Sequence, residues 1–345
     1  MCNIAGYIGN RRAAPILLEM MSRESGFGGG YYTGIATMHE GKLHYAKVAG
    51  DLDKLLSDTN AMELPGNIGF IHSRSRGDQD VEWAHPFISD DGKLAYIANG
   101  SAGVLEDKAL SARIADELRE EGFIFRTARE KFDAYITMSN DKTIHVSELV
   151  AHMIAKNYRE CGDMNKAMMK AMTDRPSEIV GLTMHTDYPD RIFIARFNMP
   201  MMIAKTQDET FLGTTAMAFP DDREYQTTDP IPCIAMSEVT VDGYKVTAFD
   251  PVPMRVNTID SRIWHDAYNI VVKELKTASK TEPLSVGKLI RATDHLWDNT
   301  KLCQRAMLIY EILRALGDKV KIVKVIEQGP AQGILTTQFR MYMEE

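Results

Sequence analysis

The sequence contains few cysteines, and they lie far apart. Cys2, Cys161, Cys233 and Cys303 show neither the paired spacing of a zinc site nor the density of a secreted disulfide framework. We therefore expect a protein of the reducing cytoplasm with no structural metal. No residue pattern indicates a cofactor, so none is expected.

Long apolar runs are also missing. No uninterrupted stretch approaches the roughly 18 residues that a membrane-spanning helix needs, and no basic segment followed by an apolar one opens the chain. The formal net charge is −8, whereas phosphate contacts require concentrated lysine and arginine. Membrane insertion and general nucleic-acid binding are thus both disfavoured.

What the sequence does contain is enough material for two or three domains in 345 residues. We predict a strand-rich body over residues 1–250, a proline-containing linker over 251–260, and a helical region that ends in a β-hairpin over 261–345. Within the body, strands precede and follow two central helices, an order that suits two sheets with helices packed outside them. The predicted class is α+β. Helices are expected over 13–25, 111–121, 147–158 and 165–172, and strands over 5–9, 34–39, 42–48, 67–73 and 94–98, with six more between 179 and 246.

The N-terminus carries the most informative residue, Cys2, directly before a strand-like apolar run. If Met1 is removed, the thiol and a free α-amine belong to one residue. An α-amine titrates near pH ~8 and a cysteine near ~8.5, so the amine can accept the thiol proton. The alternative is that Cys2 is a small buried hydrophobic residue at the start of a strand.

Three short motifs follow within the first hundred residues. His72-Ser73-Arg74 ends a predicted strand, and the arginine fork matches a carboxylate, although a surface ion pair is the alternative. Asn99-Gly100 ends another and offers a side-chain amide beside an unhindered backbone N–H, which suits an oxyanion but is also common in tight turns. Ala84-His85-Pro86 lies between them, and its histidine is either catalytic or a packed loop residue.

A glycine-rich turn, Gly26-Phe27-Gly28-Gly29-Gly30, follows the first predicted helix. Such a cluster can cradle a phosphate, but here it lacks the Lys-Ser/Thr ending of a P-loop and does not lead into a helix. A mobile or close-packed loop is the better interpretation.

The ordered set of Cys2, His72-Ser73-Arg74, Ala84-His85-Pro86 and Asn99-Gly100 resembles the class II glutamine amidotransferases. The likeness is strongest to the glutaminase half of glucosamine-6-phosphate synthase, with its Met-Cys-Gly-Ile-Val-Gly, His-Thr-Arg, Ala-His-Pro and His-Asn-Gly motifs, and it covers roughly residues 2–245. The resemblance implies the N-terminal-nucleophile hydrolase fold, a four-layer αββα sandwich.

The resemblance also implies a mechanism. Cys2 would attack the side-chain amide of glutamine, Asn99 and Gly100 would stabilise the oxyanion, and a thioester would form and be hydrolysed. Arg74 would hold the substrate carboxylate, and His72, Ser73 and His85 would complete the binding site.

The sequence departs from this family where the ligand is held. The family aspartate that receives the substrate ammonium aligns with Val146, and Ser75-Arg76-Gly77-Asp78-Gln79 replaces a family segment after the arginine. Either Asp78 or Glu148 supplies the missing acid, or the pocket no longer binds free glutamine. Two alternatives therefore stay open beside glutamine hydrolysis: a related amide hydrolase with another substrate, and a catalytically degenerate sensor.

After residue 250 there is no room for a sugar isomerase half. Helices over 262–278, 285–295 and 302–316, then a hairpin of 321–326 with 335–342, look like a winged helix. The third helix is apolar on most sides, so packing or dimerisation is favoured over DNA binding. We expect a homo-oligomer whose partners are glutamine or a related small amide and a synthase that receives ammonia.

Overall fold

The computed structural model describes residues 2–76, 80–101, 107–131, 135–300, 302–328 and 335–344. In these ranges the chain forms a seven-stranded sheet, a six-stranded sheet, a small three-stranded sheet and a C-terminal hairpin, all with antiparallel pairing. The strands are β1 (Asn3–Ile8), β2 (Tyr32–His39), β3 (Lys42–Val48), β4 (Ile68–Arg74), β5 (Phe87–Ile88), β6 (Leu94–Ser101), β7 (Arg129–Glu130), β8 (Ile136–Thr137), β9 (Lys142–Ile144), β10 (Glu178–His185), β11 (Ile192–Arg196), β12 (Met202–Lys205), β13 (Thr210–Gly213), β14 (Thr227–Pro230), β15 (Ala235–Thr240), β16 (Gly243–Ala248), β17 (Val320–Gln328) and β18 (Leu335–Met343).

The helices agree with the sequence prediction to within a few residues, apart from one short helix that it missed. They are α1 (Ala13–Glu24), α2 (Leu52–Asp58), α3 (Lys108–Glu120), α4 (Val146–Cys161), α5 (Met164–Asp174), α6 (Ser261–Thr277), α7 (Val286–Ala292) and α8 (Arg305–Leu316). The missed one is α2. In the ranges given above, no helix combines the length and apolar character needed to cross a bilayer.

The two large sheets pack face to face. Their order is β14-β12-β13-β1-β4-β2-β3 in the first sheet and β16-β15-β11-β10-β6-β5 in the second. Ile4 and Phe70 from the first sheet meet Ile97 and Leu182 from the second in one buried cluster. Successive side chains of a strand point to opposite faces, so the outer face of each sheet must be covered as well.

Helices cover both outer faces. Leu17 of α1 packs with Ala5 and Ile71 against the first sheet, while Leu149 of α4 and Met168 of α5 pack against the second sheet. The prediction of two antiparallel sheets with helices outside them is thus confirmed.

The C-terminal module (residues 261–344) contains the expected three helices and hairpin. Helices α6 and α7 begin where side chains cap them, since Asp260 accepts from the backbone of Ile263 and Ser285 from that of Lys288. Helix α8 is buried on most sides, and its core extends to Phe27 of the body.

The glycine-rich turn lies under this module and is close-packed rather than open. The ring of Phe27 contacts Tyr310 of α8 and Phe339 of β18, with centroids 5.7 and 5.1 Å away. The backbone N–H of Gly30 donates a 2.8 Å hydrogen bond to the hydroxyl of Ser73. The turn therefore links the C-terminal module to strand β4.

Candidate active site

Cys2 lies immediately before β1, which runs between β13 and β4 in the middle of the first sheet. The register pairs Asn3 with Ser73 and Ile4 with His72. As a residue, Cys2 is half-buried. Its thiol accepts a 3.4 Å hydrogen bond from the backbone N–H of Ser75 and lies 3.5 Å from the Ser75 hydroxyl. The residue that follows β4 is therefore in direct contact with the sulfur.

Strand β6 of the second sheet brings the Asn99-Gly100 pair to Cys2. The side-chain amide of Asn99 donates a 2.8 Å hydrogen bond to the carbonyl oxygen of Cys2. Gly100 has a φ of 140°, and an added Cβ would overlap the carbonyl oxygen of Glu178. Only glycine fits this position. Both residues lie within β6, so the tight-turn alternative for this pair is wrong.

The thiol of Cys2 is acidic for a cysteine. Burial alone would raise its pKa, but the interaction with His72, then the charge of the N-terminal amine and the hydrogen bond from Ser75, outweigh burial and lower the pKa to about 6. A thiolate is the nucleophilic form of cysteine. At neutral pH the sulfur is thus predominantly in its reactive state.

A layer of histidines lies beneath the thiol. The rings of His72 and His85 lie 3.9 Å apart between centroids, and His85 lies 5.4 Å from His145. Burial, and then the charges of neighbouring cations, hold the pKa values of His85 and His145 well below the usual range. These two imidazoles are neutral, so His85 contributes packing rather than charge to the site.

Arg74 is buried rather than part of a surface ion pair. Its guanidinium donates to the carbonyl of Trp83 at 3.2 Å and to the hydroxyl of Tyr135 at 2.9 Å. It also lies over the rings of Tyr32 and Trp83, 5.4 and 6.0 Å from their centroids. The sequence did not predict this aromatic enclosure, because nothing in the spacing of Tyr32, Arg74 and Trp83 indicates that they are in contact.

Ser73 is the expected binding residue whose side chain faces away from the thiol. Its hydroxyl accepts from Gly30 on the outer face of the sheet, whereas His72 contacts the carbonyl of Ala98 in the facing sheet. Strand alternation separates the two residues. Ser73 supports the glycine-rich turn and, through the backbone, the position of Arg74.

Glu148, one of the two acids considered as a replacement for the family aspartate, is buried. Its carboxylate accepts hydrogen bonds from the backbone of Arg126 and from both the backbone and hydroxyl of Thr127. The local chain thus already engages this carboxylate. Asp78 lies outside the described residues. Val146 lines a cavity of about 30 Å³ together with Ala98 and Gly100.

A metal site was not expected. Across the described ranges, no cluster of three or more histidine, cysteine, aspartate or glutamate side chains is arranged to hold a metal ion.

Two curated relatives of this chain carry the same description. The chain is 31% identical over 221 residues to the glutamine–fructose-6-phosphate aminotransferase (isomerizing) of Pyrococcus horikoshii, which covers 64% of this chain and 33% of that protein. It is 30% identical over 268 residues to the Leifsonia xyli subsp. xyli enzyme of the same name, with 75% and 39% covered. The chain thus spans between a third and two fifths of these relatives. No protein-family model matches it.

Solved structures share the fold. The glutamine phosphoribosylpyrophosphate amidotransferase from B. subtilis complexed with ADP and GMP superimposes with a TM-score of 0.57 at 18% identity, covering 82% of this chain and 60% of that one. A structure described as the allosteric regulatory enzyme of purine biosynthesis gives 0.59 at 18% identity, covering 82% and 59%. Sequence and fold together identify this chain as a homologue of the class II glutamine amidotransferases, as its motifs predicted.

Proposed function

We propose that this chain hydrolyses the side-chain amide of glutamine to glutamate and ammonia through a thioester on Cys2. Two features of Cys2 support this most strongly. Its thiol has a lowered pKa, and the side-chain amide of Asn99 donates a hydrogen bond to its carbonyl oxygen. The thiolate attacks the amide carbon, the amide nitrogen leaves as ammonia after gaining a proton, and water then cleaves the thioester.

Asn99 and Gly100 are the proposed oxyanion donors. The Asn99 amide has two N–H donors, of which one holds the carbonyl of Cys2 and the other is left for the substrate oxygen. Donors fixed before the reaction stabilise developing charge without reorganisation. The contact with Cys2 is what fixes the amide.

Arg74 is the proposed partner of the substrate carboxylate. A guanidinium has five N–H donors, and the contacts to Trp83 and Tyr135 use two of them. The remaining donors and the buried charge suit a carboxylate. The enclosing rings of Tyr32 and Trp83 would keep this ion pair dry and therefore strong.

The ammonia released at Cys2 needs an acceptor. The relatives are named as aminotransferases for fructose-6-phosphate, and we propose a synthase that receives ammonia as the partner of this site. The sensor alternative is not favoured, because the relatives found are amidotransferases.

For the C-terminal region we propose a winged-helix-like packing module over residues 261–345, joined to a catalytic domain of residues 1–250. The element order supports this, and the buried surface of α8 leaves little of that helix for a DNA groove. Packing within the protein or against a second copy fits α8 better than nucleic-acid binding.

Incubation of the purified chain with L-glutamine, followed by a glutamate assay, tests the proposal. We expect turnover in the wild type, none in Cys2→Ala, and an unchanged rate in the control Cys161→Ala, which removes an exposed thiol. Intact mass would establish whether Met1 is removed and would detect a glutamyl adduct. Glutamate formation that persists in folded Cys2→Ala would overturn the assignment.

A further inference from the structure

Strand β17 is an edge strand along its whole length. It pairs with β18 on one side, and no other strand of the described residues pairs with it. The far edge of β18 is engaged at Met341, whose backbone N–H and carbonyl exchange 2.8 Å hydrogen bonds with those of Leu284. The free row of backbone donors and acceptors in this hairpin is therefore that of β17.

This free edge is long and largely apolar. β17 has nine residues, five of which are valine or isoleucine, and Ile322 and Ile326 are 47% and 74% exposed. Proteins protect the edges of their sheets with short strands, bulges, prolines or charged side chains. β17 pairs with β18 in an uninterrupted register and contains no proline. Its charged residues therefore decide which strand can pair with its open side.

The sequence of β17 is complementary to itself when two copies run antiparallel. If Lys324 lies on the two-fold axis, all nine residues of one copy overlap all nine of the other. The facing pairs are then Lys321 with Glu327, Ile322 with Ile326, and Val323 with Val325, each formed twice. Opposite charges and β-branched side chains that face each other directly stabilise antiparallel strands. The same edge thus fits a second copy of itself in charge and in shape.

Lys324 meets its own copy on this axis, but its charge is directed elsewhere. The ammonium lies 5.9 Å from the ring centroid of Phe339, which is the residue opposite Lys324 in β18. The side chain therefore leans over its own hairpin and away from the open edge. The two lysines on the axis can both keep this position when the strands pair.

Glu327 remains accessible to a second copy. Its carboxylate forms an ion pair with Arg340 of the same hairpin, yet the Glu327 side chain is 44% exposed. Lys321, which would face it from the second copy, is exposed as well. Both members of the expected ion pair thus lie where a second copy can reach them.

The other edge strands of comparable length lack this property. β3 and β16 lie at the ends of the two large sheets. Both contain lysine, and neither contains an acidic residue. Two copies that paired through either strand would bring lysines together without a carboxylate in the strand to neutralise them. Self-complementary charge therefore distinguishes β17 from β3 and β16.

We propose that this chain forms a two-fold symmetric dimer in which the β17 strands of two copies pair antiparallel about Lys324, joining the two hairpins into one four-stranded sheet. The same surface serves on both copies, so the interface closes on itself and limits the assembly to two chains. The interaction uses no residue of the proposed active site. It goes beyond glutamine hydrolysis and is tested independently of it.

Sedimentation velocity at increasing protein concentration tests the dimer. We expect the wild type to change from monomer to dimer between about 1 and 100 µM. Ile326→Lys places a lysine opposite Ile322 at two positions of the interface and should raise the dissociation constant about tenfold or more. Since Ile326 is exposed, the fold should be kept, as circular dichroism would verify. The matched control is Ile124→Lys, which changes a 64% exposed isoleucine of the body and should leave the dimer intact.

Disulfide trapping tests the register. Under mild oxidation Lys324→Cys should cross-link to its own copy, because facing Cα atoms of antiparallel strands lie about 4.5–5.5 Å apart, within disulfide range. Ile326→Cys should not, since its own copy lies four residues along the strand, roughly 13 Å away. An equal mixture of Ile322→Cys and Ile326→Cys should cross-link one variant to the other. Peptide mass spectrometry without reduction would distinguish these bridges from any formed by the exposed Cys161.

Three results would each overturn the proposal. The first is a wild type that stays monomeric at the highest concentration, and the second is a dimer that Ile326→Lys leaves intact. The third is cross-linking as efficient in Ile326→Cys as in Lys324→Cys, which would exclude a two-fold axis at Lys324. Because no measurement uses glutamine, a failed glutaminase assay leaves all three interpretable.

Discussion

The side-chain amide of Gln338 donates a 2.9 Å hydrogen bond to the backbone carbonyl of Gly29, joining the last strand of the chain to the turn after its first helix. Gln338 is buried and also donates to the hydroxyl of Thr336. The backbone N–H of Gly30, in the same turn, donates a hydrogen bond to the hydroxyl of Ser73. A connected path of contacts therefore runs from the C-terminal hairpin to the residue beside Arg74.

Gln338→Ala should weaken this connection. The carbonyl of Gly29 would lose its buried donor, which costs about 1–3 kcal/mol. We expect a lower free energy of unfolding in chemical denaturation. Because the turn supports Arg74 and not the thiol, we also expect a higher KM for glutamine with kcat little changed.

The matched control for that change is Gln328→Ala, which removes an exposed glutamine from the same hairpin. It should leave both stability and KM unchanged. Equal effects of the two substitutions would mean that the hairpin acts only through its general packing.

Asn99→Ala should slow glutamate formation about a hundredfold, since loss of one oxyanion donor typically costs ~3 kcal/mol. The same change removes the contact to the Cys2 carbonyl. Asn99→Asp does not separate the two effects, because a carboxylate accepts but does not donate and so loses both contacts; it should be at least as slow. Steady-state rates, with folding checked by circular dichroism, would measure this; a variant within threefold of the wild type would remove Asn99 from the mechanism.

Gly100→Ala should lower thermal stability more than the same substitution at a surface glycine does. The new methyl group would overlap the carbonyl of Glu178 and would also occupy a backbone conformation with φ of 140°. Gly92→Ala is the control, since its φ is 70° but its surroundings are open, so it carries only backbone strain of about 1 kcal/mol. Thermal unfolding should show a clearly larger loss for Gly100→Ala, together with loss of glutaminase activity; equal losses would contradict the steric argument.

The parts of the site that the sequence predicts are those carried by single strands. Strand β4 ends at Arg74 and β6 carries Asn99 and Gly100, as expected, because local patterning determines where a buried strand ends in polar residues. The order of the three C-terminal helices and the hairpin was predicted for the same reason: each has its own cap or alternation.

What the sequence did not predict depends on contacts between distant segments. The contact between the rings of His72 and His85 exists only because the two sheets face each other. The enclosure of Arg74 by Trp83 and Tyr135 is assembled from loops without periodicity. Short elements were missed as well: α2 buries only two residues, and β7, β8 and β9 are too short to show strand alternation.

Glu24, in the last turn of α1, is a buried carboxyl whose effect on stability should depend on pH. It is 0% exposed, and neither oxygen has a hydrogen-bond partner of ordinary geometry among the described residues. Burial raises its pKa well above the usual range, with a smaller opposing effect of the backbone at Thr215 and Thr214. The folded protein therefore holds a proton on Glu24 that the unfolded chain releases above pH ~4.3.

Stability should consequently fall as pH rises, by about 1.4 kcal/mol per unit between that unfolded value and the raised folded value. Glu24→Gln removes this proton exchange, so it should be more stable than the wild type at pH 7 and close to it at pH 4.

Glu209→Gln is the contrasting control: Glu209 is also buried, but hydrogen bonds from Arg11 and Tyr7 outweigh burial and lower its pKa. Its contribution is present at pH 7 and is lost as pH falls, so this variant should be less stable than the wild type at pH 7. Urea unfolding at several pH values would measure the free energy of unfolding of both variants and of the wild type. If the advantage of Glu24→Gln over the wild type does not grow with pH, Glu24 is ionised in the folded protein.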